Sequence, residues 1–175
     1  KVNCKRSLIK AEMNLEKIVK NRPAYSNCDM SQPHLMGVIN LTPDSFYKNS
    51  RKQDYTSVEK TLKKMKNFGA SIIDIGGESS KPGAKKISVC EEKRRVIPVI
   101  EKLKETNLNP LISLDTRNLS TMKKGCEKKV DIINDITGFN DKDKISYVSK
   151  NKIPIIVMHM QKDPLIMQNN PKYDF

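Results

Sequence analysis

Five short apolar runs, each closed by a residue with chemistry and separated by helical stripes, constrain this chain more than any other feature. The runs are Leu35–Leu41, Ser71–Ile75, Leu111–Leu114, Asp131–Ile136 and Pro154–Met158. They are dense in Ile, Leu and Val and do not alternate cleanly, which is the pattern of strands covered on both faces. Between the first two, Val58, Leu62, Met65 and Phe68 fall at i, i+4, i+7 and i+10, with Gly69 as a C-terminal stop. Val96, Ile100 and Leu103 repeat the stripe, Leu119 and Met122 make a shorter one closed by Gly125, and Ile145 and Val148 make another. Strands that alternate with helices in this way predict an α/β fold built on a parallel sheet.

Polar residues fall at the ends of the runs. Asn40 closes the first, Asp74 with Glu78 the second, Asp115 the third, Asn134 with Asp135 the fourth and His159 the fifth. In a (β/α)8 barrel of the TIM type those strand ends face one mouth, where such folds place their sites. An open doubly wound sheet would gather them at an edge too, but the glycine fingerprint GxGxxG is absent. The pattern therefore favours a TIM-type barrel, with five β/α units in this chain.

The net charge of +13 raises the question of a nucleic-acid partner. The basic residues are 27 Lys against 6 Arg, spread from end to end, and only five Tyr and four Phe are available for base stacking. No nucleic-acid motif accompanies them, so solvated helix faces are the expected home of the lysines and no specific nucleic acid is expected. Cys4, Cys28, Cys90 and Cys126 form no CxxC or CxxH pair, which signals neither zinc nor a disulfide framework. No apolar run approaches a membrane span, so no membrane partner is expected. Residues 1–33 form a basic N-terminal extension without the apolar stretch of a secretory signal, and a cytoplasmic location is the expectation.

The run ends also carry recognisable words. His34-Leu35-Met36-Gly37-Val38-Ile39-Asn40-Leu41-Thr42-Pro43-Asp44-Ser45-Phe46 closely resembles the first signature of the dihydropteroate synthases, and Asp74-Ile75-Gly76-Gly77-Glu78-Ser79-Ser80-Lys81-Pro82-Gly83 the second. Ser113-Leu114-Asp115-Thr116, Ile133-Asn134-Asp135-Ile136 and Met158-His159-Met160-Gln161 resemble the third, fourth and fifth strand ends. The likeness runs collinearly over residues 34–175, so the resemblance implies the N-terminal part of a pterin-binding barrel. Two positions depart from the pattern. Ser80-Lys81 stands where the family has Thr-Arg, so the guanidinium fork is lost, and Tyr47-Lys48-Asn49 replaces Ser-Asp-Gly. The family barrel has eight strands. Its later ones carry an Asp, a Ser-Arg-Lys and an Arg-x-His beyond Phe175, so the chain is expected to be a fragment or truncated product, inactive alone.

The resemblance implies a transferase of folate biosynthesis, a family targeted by sulfonamides. It condenses (7,8-dihydropterin-6-yl)methyl diphosphate with 4-aminobenzoate and releases diphosphate. A protein nucleophile is not required, because the electron-rich pterin can carry charge at the methylene while fixed donors and a divalent cation receive the leaving group. By this resemblance Asn40 holds Mg2+ or the diphosphate, and Ser80 with Lys81 meets the diphosphate oxygens. Asp115 and Asn134 read the pterin ring, and Ile136 and Met158 pack against it. Thr42, Asp44 and Phe46 on the first loop, and Lys81, Pro82 and Gly83 on the second, are the candidate loop residues of catalysis. Asp74 and Glu78 are expected to be structural, and His159 a polar strand-end residue. A homodimer is compatible with the family. The rival readings are a corrinoid-methyltransferase-type pterin-binding domain, which lacks the Thr42–Phe46 loop, and a non-catalytic basic binding fragment.

Overall fold

The computed structural model describes residues 33–42, 51–79 and 86–158. Close packing divides the chain into two units between His34 and Leu35, and the strands and helices described all belong to the second unit. Five strands form one sheet: β1 (Leu35–Asn40), β2 (Ala70–Gly76), β3 (Leu111–Asp115), β4 (Ile132–Asp135) and β5 (Ile155–Val157). Their order in the sheet is their order in the chain, and every neighbouring pair is parallel. A doubly wound sheet would reverse its order at a switch point, whereas a barrel wall does not. This is the α/β fold expected, the first five strands of a (β/α) barrel wall.

Four helices fill the crossovers: α1 (Arg51–Asn67), α2 (Val89–Lys104), α3 (Leu119–Glu127) and α4 (Lys142–Lys150). Ser88 caps α2, its hydroxyl accepting from the Glu91 amide at 3.1 Å, and Glu91 and Glu92 complement the positive end of the helix. Asp141 caps α4 through the Asp143 amide at 2.8 Å. Ile39, Ile73, Ile75, Ile112, Leu114 and Ile133 on one face of the sheet form a single core with Val58, Leu62, Val96, Ile100, Leu103, Met122 and Val148 of the helices. The opposite face carries Val38, Asn40, Asp74, Ser113, Asp115 and Asn134. That is the lumen side.

Three expectations fail in detail. Phe68 lies beyond the end of α1 in a turn and is 78% exposed, so the stripe stops at Met65. Ile145 is exposed on α4, and Lys144 takes the inward position beside it. Gly125 does not close α3. It sits within the helix because a Cβ there would run into Leu114 Cδ2, and α3 ends two residues later before Lys129, whose φ is +61°. Among the described residues no helix is long and apolar enough to cross a membrane.

Candidate functional site

Register carries the site. Asn40 pairs with Gly76, Gly76 with Asp115, Asp115 with Asn134 and Asn134 with Ile156, so one rung crosses all five strands at their C-terminal ends. Residues paired this way in a parallel sheet point to the same face. Gly76 has no side chain in that row. A Cβ there would lie 2.9 Å from Asn40 Oδ1 and 3.4 Å from Asp115 Oδ2, so the amide oxygen and the carboxylate lean together over the glycine.

The rung below holds Val38, Asp74, Ser113 and Ile132 in register. Asp74 is buried, and its Oδ2 accepts from Asn134 Nδ2 at 3.1 Å, reaching across β3. Its other oxygen, Oδ1, and the Ser113 hydroxyl are buried too and fall outside hydrogen-bond geometry with any partner among the described residues. Burial raises the Asp74 carboxyl above the ordinary range, while Ser113 and Asn134, as nearby donors, pull it back.

Asp115 is more perturbed. Burial first, then the negative charges of Asp74, Glu92, Asp135 and Glu78, push its carboxyl up to about 7. Desolvation and like charge both disfavour its ionised form, and no side-chain donor offsets them. On this rung the Asn40 amide oxygen and the Asp115 carboxylate lean together over Gly76, and Asn134, paired in register with Asp115 and giving its Nδ2 to Asp74, has Oδ1 left as an acceptor. The complement of such a surface is a ligand rich in N–H groups or a cation.

A polar scaffold holds the loops around this rung. Glu92, buried at the start of α2, accepts from Thr116 Oγ1 at 2.7 Å, Asn118 Nδ2 at 2.9 Å and Thr121 Oγ1 at 2.5 Å, which fixes the turn after Asp115. Arg95 donates to the Gly77 carbonyl at 2.9 Å, and the Gly77 position has room for no Cβ between Val96 and Glu92. Glu78 accepts from Arg117 at 2.5 Å and from the Ile87 amide at 3.2 Å. Lys144 and Asp135 form a buried pair at 2.7 Å. Lys144 also donates to Thr137 and to the Arg117 carbonyl, and Asp135 receives the Thr137 amide and hydroxyl.

The structure therefore brings Asn40, Asp115 and Asn134 together, as their strand-end positions predict. Ile136 is half-buried in the turn that follows β4, Met158 is half-buried just after β5, and Thr42 is half-buried just after β1. Asp44, Phe46, Ser80, Lys81, Pro82, Gly83 and His159 lie outside the described residues. Asp74 and Glu78 make the hydrogen bonds of structural residues. Sequence reasoning missed Glu92, Arg117 and Lys144, whose partners lie on other elements. Glu92 carried one local hint, an acidic residue in the first turn of a stripe. Among the described residues no cluster of three or more His, Cys, Asp or Glu side chains is arranged to hold a metal ion.

Residues 36–174 match the family of pterin-binding enzymes. The chain is 39% identical over 149 residues to the dihydropteroate synthase of Escherichia coli strain K12, covering 85% of this chain and 52% of that protein. The Yersinia pestis dihydropteroate synthase, solved with a sulfonamide drug complex, superposes with a TM-score of 0.71 at 36% identity, covering 84% of this chain and 53% of that one. The Burkholderia cenocepacia dihydropteroate synthase, solved with 7,8-dihydropteroate, gives 0.66 at 34% identity over 82% of this chain and 47% of that one. The chain spans about half the length of these relatives. Because the match takes in the strand array and the rung of acceptors together, the chain belongs to the pterin-binding enzyme family.

Proposed function

We propose that this chain is the pterin-gripping half of a dihydropteroate synthase. That enzyme joins (7,8-dihydropterin-6-yl)methyl diphosphate to 4-aminobenzoate, giving 7,8-dihydropteroate and diphosphate in folate biosynthesis. The observation that carries the reading is the rung that sets the acceptors of Asn40, Asp115 and Asn134 in register at the strand ends. A pterin edge presents an exocyclic amino group and ring N–H groups, which the Asp115 carboxylate and the Asn134 oxygen complement. Ile136 and Met158 supply apolar walls for the ring.

The leaving diphosphate is assigned to the Asn40 side of the rung, and the family resemblance adds the Ser80 hydroxyl and the Lys81 charge as its partners. Thr42, Asp44, Phe46, Pro82 and Gly83 are assigned to the loops over the aminobenzoate. The donor set fits Mg2+. Asn40 Oδ1 is a hard oxygen at the strand end, and Mg2+ commonly takes one or two protein oxygens, completing its shell with water and substrate phosphate. When bound, the ion would neutralise charge developing on the diphosphate. Free thiols at Cys90 and Cys126 support a reducing, cytoplasmic setting.

Calorimetric titration of 6-hydroxymethylpterin into the chain tests the reading. Asp115→Ala should weaken binding by roughly 2–4 kcal/mol, since ring donors lose their charged partner. An unchanged affinity removes Asp115 from the site. A second arm varies pH. Donors from the ring favour ionised Asp115, so affinity should climb about tenfold per pH unit below about 7 and level off above it. A flat profile shows that Asp115 ionisation plays no part.

A further inference from the structure

We propose that Asp74 sets the orientation of the Asn134 side-chain amide, making that position of the mouth read donors and reject acceptors. The inference rests on the reading of the rung as the pterin site, and it adds a residue that touches no ligand.

An asparagine amide has two nearly isosteric ends, and whichever faces a ligand decides whether the position accepts or donates. Here one end is assigned. Asn134 Nδ2 donates to Asp74 Oδ2 at 3.1 Å, which leaves Oδ1 as the end available to a ligand. Turning the amide over would set its oxygen against a carboxylate oxygen, two acceptors in contact away from water, where an unmade hydrogen bond is most unfavourable.

Asp74 is suited to fixing this amide and to little else on the lumen face. It is 3% exposed, so no ligand reaches it, and its register partners are Val38 and Ser113, neither of which competes as a cation. Its Oδ1 has no partner of full hydrogen-bond geometry among the described residues, although the Ser113 hydroxyl is a nearby donor, so the side-chain bond of full geometry is the one to Asn134. Ile132, the rung neighbour of Ser113, is apolar and offers Asn134 no alternative partner. With the amide held this way, Asp115 and Asn134 present adjacent acceptors, which suits neighbouring N–H groups on one ring edge. A released amide would present a mixture.

The test uses the full chain with Asp74→Asn and Asp74→Leu, and two readouts. The first needs no ligand: the Asn134 side-chain amide protons, followed by NMR, should be protected from exchange in the parent. They should lose most of that protection in Asp74→Leu and part of it in Asp74→Asn. The second is calorimetry with 6-hydroxymethylpterin. Affinity should fall about 10- to 100-fold for Asp74→Leu and about 3- to 10-fold for Asp74→Asn, which retains an acceptor but also offers a donor. A merely structural aspartate would lower the unfolding midpoint while leaving the amide protection and the affinity of the folded protein unchanged, and that result overturns the proposal. Should Asp74→Leu not fold, unchanged amide protection and affinity in the isosteric Asp74→Asn overturn it equally. If the parent binds no pterin while the amide is released in the variants, the orienting role stands and the reading of the mouth as a pterin site falls.

Discussion

Asp115 shows how a site residue works against the fold that holds it. Its carboxyl is raised from 3.8 to about 7, so the folded chain keeps the proton long after the unfolded chain has released it. Below about pH 4 both states are largely protonated and the residue is close to neutral for stability. Stability then declines as pH rises toward 7, and above that the penalty is complete. Asp115→Asn should therefore be about as stable as the parent at pH 4 and more stable at pH 8, by roughly 1–3 kcal/mol once partial exposure is allowed for. Urea unfolding at the two pH values checks this, and equal stability at pH 8 would show that the carboxylate carries no strain. The same variant should bind pterin poorly, the trade-off expected of a polar group held ready for a ligand. Asp115, Asn40 and Asn134 were legible in the sequence because each ends an apolar run, and strand ends share a mouth. The Asn134 partner was not, because Asp74 lies 60 residues earlier and the two meet only through a register no local pattern specifies.

Elements were legible where burial on both faces writes itself into composition. The observed strands fall within two residues of the apolar runs at each end, and the core lies under Val58, Leu62, Val96, Ile100, Leu103 and Met122 as their spacing implies. The failures came where one residue answers to a distant contact. Lys144 occupies a core-facing place on α4, where the pattern favours an apolar side chain, because Asp135 lies beneath it. Lys144→Met should destabilise by roughly 3–5 kcal/mol at pH 7, since it leaves a buried carboxylate with only neutral donors. Chemical denaturation measures it, and a loss under about 1 kcal/mol would mean the pair is effectively solvated. Gly125 is the converse case. Alanine there gains about 1 kcal/mol of helix propensity, but its Cβ would collide with Leu114 Cδ2, and Leu114 is fully buried with nowhere to turn. Overpacking of this kind costs about 1–3 kcal/mol. Packing should win, so Gly125→Ala should unfold at lower denaturant than the parent.

At the scale of the molecule, the sheet order leaves β1 and β5 as its two edges among the described residues. Both edge strands expose apolar side chains: Leu35 is 61% exposed and Val38 51% in β1, and Val157 is 53% exposed in β5, with Ile155 beside it. Edge strands ordinarily protect themselves with charge, proline or a bulge. Here the irregularity between Leu35 and Met36 is the one such device in the register of β1, and neither edge carries a lysine within its strand. Parallel strands also form slowly, because each crossover must close before pairing gains anything, which prolongs the exposure of these edges during folding. The net charge of +13 opposes association but falls off over roughly 8–10 Å in physiological salt, too short a range to guard a sheet edge at contact. The 175-residue chain on its own should therefore self-associate at micromolar concentrations, and more strongly as salt is raised. Sedimentation velocity over a concentration series reads this directly. Placing charge on both edges, with Val38→Lys and Val157→Lys together, should shift the distribution toward monomer, whereas a parent chain already monomeric at high concentration and high salt would show that its edges are covered.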